Sequence, residues 1–140
     1  MPETVAYLKA LTPEAKTALG GQYLKLIRFP FRVGRECRMQ IRGPEPTSSR
    51  RSPDTIPNND IYLFEPGTIF NVSREHFLID QREGMFVLVD RGSTCGTLVE
   101  GEVIGEGKKG GWRRLQHSDV IIVGSSESRF IFKFLLSENP

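Results

Sequence analysis

The sequence predicts an all-β fold, a sandwich or barrel of about ten or eleven short strands. Three observations carry that expectation. Short apolar runs recur along the chain with turn residues between them at close spacing. Phe130, Phe132 and Phe134 alternate with Ile131 and Lys133, the period-two pattern of a half-buried strand. Helix-start signals gather at Thr12-Pro13-Glu14, and Gly20-Gly21 follows too soon for a long helix. A chain of 140 residues suits one domain over residues 1–140, its core running from about residue 5 to residue 136.

In chain order, Val5–Leu11 is apolar with Lys9 in the middle and reads as the first strand. The stretch from Thr12 predicts a single helical turn in a loop, because short helices are marginal alone. Gln22–Arg28 and Phe31–Val33 read as strands, the second closed by Gly34-Arg35. Residues 43–60 differ from everything else: four prolines, three serines, two threonines and two asparagines, with Ile56 the one apolar side chain. They offer no strand or helix pattern, and their length marks a functional or disordered insertion. Ile61–Phe64 resumes the sheet and Pro66-Gly67 is a turn. Phe77–Ile79 and Phe86–Val89 flank the polar turn Gln81–Gly84. Leu98-Val99 and Val103-Ile104 flank Glu100-Gly101-Glu102, and Gly105–Gly111 with Lys108-Lys109 reads as a flexible basic tip. Trp112–Leu115, Val120–Val123 and the Phe130–Phe134 run complete the sheets.

Nineteen basic and seventeen acidic residues give a net charge of +2, which argues against a general nucleic-acid binder and for a local anion site at most. Two cysteines, Cys37 and Cys95, are too few for a disulfide scaffold. The start, Met1-Pro2-Glu3-Thr4, shows no signal-peptide pattern, and no apolar run approaches the ~20 residues of a membrane span. The expectation is a cytoplasmic protein, or a nuclear one in a eukaryote, with no cofactor and no membrane.

Chemistry concentrates between Asn71 and Thr97. The hairpin returns the chain to its starting end, so Ser73-Arg74 and Ser93-Thr94 are expected side by side as neighbouring loops. Hydroxyls, backbone N–H groups and an arginine fork at one sheet end suit an anion.

Gly34-Arg35, Ser73-x-x-His76, Ser93-Thr94-x-Gly96-Thr97 and Leu115-x-x-x-Asp119-x-Ile121 follow the order and spacing of a forkhead-associated (FHA) domain, which the chain resembles over nearly its whole length. The resemblance implies an eleven-stranded β-sandwich of two twisted antiparallel or mixed sheets. It also implies a signalling module that binds phosphothreonine in a partner protein or peptide through loops at one end, without catalysis. Carried over residue by residue, it assigns Arg35, Ser73, Arg74, Thr94 and Cys95 to phosphopeptide binding, and Gly34, His76 and Gly96 to support of the site. Two positions depart from the family. Cys95 and Glu100 stand where asparagine is usual, and a thiol cannot make the two main-chain bonds of an amide. These departures weaken the expected grip on peptide backbone.

Each residue also has a plainer reading. A lone arginine is ordinarily a solvated surface side chain, and Ser73 could bond its own backbone. His76 with Ser73 and Asp90 invites a hydrolase triad, but the chain lacks a nucleophile elbow. His117 lies at no ligand spacing from His76, so no metal site is expected. His76 is read instead as a packed ring whose nitrogens bond backbone and brace the Ser73 loop. Cys37 and Cys95 are inert thiols or, near cations, a redox pair.

Two rivals remain. One is an FHA-fold scaffold that binds an unphosphorylated partner by its sheet face, favoured by Cys95 and Glu100. The other is a nucleic-acid binder using Arg50-Arg51, Lys108-Lys109 and Arg113-Arg114, disfavoured because no aromatics cluster beside them. Residues 43–60 have two readings: the favoured one is an unmodified, disordered insertion that drapes over the sheet end, and the other is self-association, in which a phosphorylated Thr55 reaches the clamp of its own or a second molecule.

Overall fold

The computed structural model describes residues 3–36, 38–40, 49–51, 58–66 and 70–139. In chain order the elements are β1 (Glu3–Ala10), α1 (Pro13–Leu19), β2 (Tyr23–Leu26), β3 (Phe31–Arg35), β4 (Arg38–Gln40), β5 (Ser49–Arg51), β6 (Ile61–Leu63), β7 (Phe77–Arg82), β8 (Met85–Asp90), β9 (Thr97–Val99), β10 (Glu102–Ile104), β11 (Gly111–Arg114), β12 (Val120–Val123) and β13 (Ile131–Asn139). Eleven of these strands form two sheets, in the orders β10-β9-β12-β13-β1-β2 and β11-β8-β7-β3-β6. Pairing is antiparallel except between β3 and β6, so the second sheet is mixed. This is the β-sandwich expected from the sequence.

Alternation explains the core. Leu8, Val99, Ile121, Phe132 and Phe134 from the first sheet meet Val33, Phe77, Ile79 and Leu88 from the second, all fully buried in one cluster. Each such side chain gives about 1.5–3 kcal/mol on leaving water.

Two local expectations need correction. The stretch after Thr12 makes a seven-residue helix rather than one turn. Thr12 caps it by accepting the Ala15 N–H at 3.2 Å, and Gly20, at φ 74°, closes it. Tertiary packing supplies what propensity lacks, because Ala15 and Leu19 are buried in the core. Within residues 43–60, Ser49–Arg51 pairs as β5 with β4, a ribbon held by backbone bonds that polar residues make as well as apolar ones. Residues 43–48 and 52–57, with Thr55, lie outside the described residues, as do Cys37 and Gly67.

The hairpin turns are tighter than the polar stretches suggested. Gln81 and Arg82 extend β7 to pair with Phe86 and Met85, leaving Glu83 (φ 51°) and Gly84 (φ 78°) as a two-residue turn. Phe77 lies opposite Asp90 at the other end of this hairpin, and Val33 lies opposite Phe77. The C-terminal end of β3, the segment entering β7 and the segment leaving β8 therefore meet at one end of the sandwich. Gly111 pairs with Asp90, which brings the β10–β11 loop there too.

Candidate functional site

Three segments converge at that end, and each is fixed before its side chains are considered. The Asn71–His76 loop is held from outside. The Glu65 carboxylate accepts the Asn71 N–H at 3.1 Å and the Val72 N–H at 2.7 Å. The Arg35 N–H donates to Ser73 O at 2.9 Å, and the His76 N–H to Val33 O at 3.0 Å. Gly34 is needed here for close approach, because a Cβ would collide with the Arg74 carbonyl and the Asn59 amide. Asn59, itself buried, donates from Nδ2 to Arg74 O at 2.8 Å.

His76 is fully buried between this loop and the next. Its Nδ1 accepts the Ser73 N–H at 2.9 Å, so Nε2 carries the proton and donates to Gly96 O at 2.7 Å. Burial pushes its pKa below the ordinary histidine value, against smaller opposing effects from the Gly96 carbonyl and the Asp90 and Glu65 charges. The ring is thus a neutral bridge between two loops. It bonds the Ser73 backbone and not the hydroxyl, so the geometry of a nucleophile with its base is not present.

Side chains of the Arg91–Gly96 loop and its flanks are spent on bracing the loop from within. Buried Asp90 accepts the Gly92 and Ser93 N–H groups at 3.0 and 2.8 Å on one oxygen, and the Ser93 and Thr97 hydroxyls on the other. Ser93 Oγ also accepts the Gly96 N–H at 3.0 Å. The Ser93 hydroxyl is therefore fully buried and engaged, and of the two hydroxyls expected from this loop only Thr94 is exposed. Gly96, at φ 81°, makes the turn into β9.

Where the loops touch, the Thr94 N–H donates to Ser73 Oγ at 3.1 Å. Around that contact opens a cavity of about 570 Å³, lined by Arg35, Asn58, Ser73, Arg74, Glu75, Arg91, Gly92, Thr94 and Lys108. The structure brings Arg35, Ser73, Arg74 and Thr94 together in it. Arg35 lies over the Phe70 ring, 4.0 Å from its centroid, and its Nη1 donates to Val72 O at 3.2 Å, which leaves the other donors of the guanidinium for a ligand. Arg74 is exposed and has no carboxylate partner among the described residues.

Cys95 does not line the cavity. Its half-buried thiol lies 3.8 Å from Phe70 O, beside the ring on which Arg35 rests. Glu100 does not line it either. Its carboxylate accepts the Val120 N–H at 2.8 Å and holds the β9–β10 turn, where Glu100 and Gly101 take φ 49° and 81°. Glu100 thus has a structural use in this turn.

Sequence reasoning missed five cavity residues, Asn58, Glu75, Arg91, Gly92 and Lys108. Arg91 donates from Nη1 to Asn59 Oδ1 at 2.6 Å and from Nη2 to Asn58 O at 3.1 Å, with Glu75 at 3.7 Å. Burial lowers its pKa and the Glu75 charge raises it. Asn58 and Asn59 come from the end of the patternless stretch. The signal for Arg91 was its place, directly after β8 at the foot of the hairpin. Lys108 reaches the cavity because the Gly105–Gly111 tip is not loose: the Gly107 and Lys108 N–H groups donate to Thr94 O at 2.9 Å and Ser93 O at 3.0 Å.

Among the described residues no cluster of three or more His, Cys, Asp or Glu could hold a metal, and no helix is long and apolar enough to cross a membrane. Arg113 donates to Val99 O and Glu102, both at 3.0 Å, away from the cavity. The side chains of Arg50 and Arg51 lie outside the described residues.

A protein-family model, the FHA domain, matches residues 31–124. Among solved structures, the FHA domain of the CT664 protein from Chlamydia trachomatis is similar at 21% identity and a TM-score of 0.58, over 94% of this chain and 96% of that one. EmbR of Mycobacterium tuberculosis, in complex with a low-affinity phosphopeptide, is similar at 24% identity and a TM-score of 0.59, over 97% of this chain and 25% of the EmbR chain. A third structure, from work on phosphothreonine-dependent FHA domain interactions, gives 20% identity and a TM-score of 0.53, over 94% and 95% of the two chains. At these identities the likeness is one of fold. No curated protein matches the sequence significantly.

Proposed function

The chain belongs to the FHA domain family, and on that premise we propose that it binds phosphothreonine peptides of a partner protein at the cavity between the Ser73 and Thr94 loops. One observation carries the reading. Ser73 Oγ accepts the Thr94 N–H, so its own proton is free, and no described residue accepts it. A hydroxyl donor therefore faces a cavity whose walls carry Arg35, Arg74 and Lys108. A phosphate brings a charge of about −1.5 to −2 and three strong acceptor oxygens, which this donor set satisfies by charge-assisted bonds. Arg35 takes the bidentate role, preset by its seat on Phe70. The EmbR complex supports the reading at the level of the shared fold. His76, engaged on both nitrogens by backbone, positions the loops and takes no part in chemistry.

The test is calorimetric titration with a phosphothreonine peptide and with the same peptide carrying phosphoserine, glutamate or unmodified threonine. Phosphothreonine should bind best, since glutamate has less charge and fewer acceptors and serine lacks the methyl. Arg35→Ala should weaken binding by about 1.5–3 kcal/mol, with its unfolding midpoint measured in parallel. Equal binding of glutamate and phosphothreonine peptides, or full binding by the variant, overturns the assignment.

A second reading rests on a separate feature. Trp112 on β11 is 67% exposed and stands beside Val89, with Leu78 next in the row, on the outer face of the second sheet. An unphosphorylated partner held there would be lost by Trp112→Ala and kept by Arg35→Ala.

A further inference from the structure

The outer face of the first sheet carries an arrangement of charge that the fold itself does not need. Ala6, Leu8, Leu26, Phe132 and Phe134 turn into the core, so alternation sends Tyr7 and Lys9 of β1, Tyr23 and Lys25 of β2, and Lys133 of β13 to the outside. Lys9 stands directly opposite Lys133 on one side and Tyr23 on the other, and Tyr7 stands opposite Lys25. The rows are Val120-Lys133-Lys9-Tyr23 and Leu135-Tyr7-Lys25, and neither contains an aspartate or a glutamate. Lys9, Lys25 and Lys133 have no ion pair among the described residues.

Like charges directly opposite one another weaken a strand pair, so the Lys9–Lys133 pairing works against stability. Lys9 has one compensation, its ammonium lying 5.7 Å from the centroid of the Tyr23 ring. Two lysine stems on neighbouring strands can also bring both ammonium groups onto one anion. The rings add a second element. Tyr-Leu-Lys occurs on both strands, as Tyr7-Leu8-Lys9 and Tyr23-Leu24-Lys25, and the strands run antiparallel. Tyrosines and lysines therefore form a chequerboard, the two tyrosine positions on a diagonal of about 7–8 Å. β2 is the edge strand of this sheet, and Tyr23 is 55% exposed there.

We infer that this face binds single-stranded nucleic acid without sequence preference, with bases on the Tyr7 and Tyr23 rings and phosphates on Lys9, Lys25 and Lys133. Three unpaired cations select an anion, and rings set among them select one that also presents flat apolar groups. An acidic peptide would use the lysines alone, and a duplex keeps its base faces within the stack. No aromatics cluster beside the basic pairs that the sequence shows, whereas sheet pairing here sets rings and lysines from three strands side by side. A patch of three cations on a chain of net charge +2 makes a short, salt-sensitive site. None of its residues lines the cavity between the Ser73 and Thr94 loops, so the inference stands apart from the phosphopeptide reading.

The experiment follows the fluorescence anisotropy of a labelled oligothymidylate of about ten nucleotides, within the usual span of one such site. The same titration is run with a duplex of equal length and with polyglutamate, on the parent chain, Tyr23→Leu, Lys133→Gln and Arg35→Ala. The single strand should bind at low salt, and log affinity should fall against log salt with a slope of about −2, as three phosphate contacts require. Tyr23→Leu should weaken the single strand about tenfold, the scale of one lost base stack, and leave polyglutamate unchanged. Lys133→Gln should weaken binding and reduce the slope to about −1.4. It should also raise the unfolding midpoint, because it relieves the repulsion with Lys9. Arg35→Ala should bind as the parent does. No binding of the single strand at low salt, or full binding by Tyr23→Leu, overturns the inference, as does a Lys133→Gln variant that loses stability and keeps its affinity. Duplex bound as tightly as single strand would reduce the face to charge alone and overturn the role of the rings. Polyglutamate bound more tightly than the oligonucleotide would overturn it in favour of an acidic protein partner.

Discussion

The two loops of the site begin alike and are built in opposite ways. Each carries a serine at its start, Ser73 or Ser93, next to a residue that reaches the cavity. The Ser93 loop spends its own side chains on its support: Asp90, Ser93, Gly96 and Thr97 satisfy one another, and the serine hydroxyl is consumed in doing so. The Ser73 loop is supported from elsewhere, by Glu65, the β3 backbone, Asn59 and His76. Because others hold it, its hydroxyl keeps a free proton. A polar side chain is available to a ligand only where the backbone around it is satisfied by something else.

Exchanging the two serines for alanine breaks this comparison most directly. Ser93→Ala leaves the buried Gly96 N–H without an acceptor and removes one donor from Asp90, for a loss of about 2–3 kcal/mol in unfolding free energy. Ser73→Ala should change stability by less than about 1 kcal/mol, because the Thr94 N–H that loses its acceptor is in an exposed residue, and should weaken phosphopeptide binding by about 1.5–3 kcal/mol. Denaturant titration and calorimetry on both variants check the pair. A binding defect without a stability defect in Ser93→Ala would mean that the roles are reversed.

That difference marks the limit of what the sequence discloses. Apolar alternation and turn residues are local signals, so the hairpin of β7 and β8, and the meeting of its two loops, are legible from residues 71–97 alone. The direction of a hydroxyl is not. Ser73 and Ser93 read identically until Asp90 is seen beneath the second. Arg91 is marked in the sequence only by its place at the foot of the hairpin, for a related reason. What makes it part of the site is Asn59, 32 positions earlier, at the end of a stretch that follows no periodicity. Lys108 reads as a mobile tip because backbone bonds to a neighbouring loop leave no mark on composition.

The second prediction sharpens the comparison through the ring that joins the loops. His76 is buried neutral, so its pKa in the folded state is below the unfolded value of about 6.5. The unfolded chain binds the extra proton first. The contribution of His76 to stability is therefore complete above about pH 6.5 and falls as pH drops below it. Unfolding free energy should therefore decline through this group as the pH falls from 7.5 to 5. A variant with His76→Gln should be less stable at pH 7.5 and show a flatter profile over that range. The measurement is made without ligand, because phosphate itself titrates near pH 6. An equally steep profile in the variant would assign the pH dependence to carboxylates instead.

The smallest expected effect lies at Cys95, where the loops come close through Phe70 rather than through the ring. The thiol sits 3.8 Å from Phe70 O, a weak contact, and the Phe70 ring supports Arg35. An asparagine at this position has a donor strong enough to bond Phe70 O and an acceptor left for a peptide N–H. Cys95→Asn should therefore tie the externally supported loop to the Ser93 loop and steady the seat of Arg35. Each neutral hydrogen bond is worth about 0.5–1.5 kcal/mol, so phosphopeptide affinity should rise about three- to tenfold. Cys95→Ser separates the two contributions, because a hydroxyl can bond Phe70 O but is too short to reach past it to the ligand. A gain in both variants would locate the effect in Arg35 preorganisation, and a gain in Asn alone would locate it in the peptide main chain. Unchanged affinity in both would show that the thiol costs this site nothing and that the ligand main chain is held by other residues.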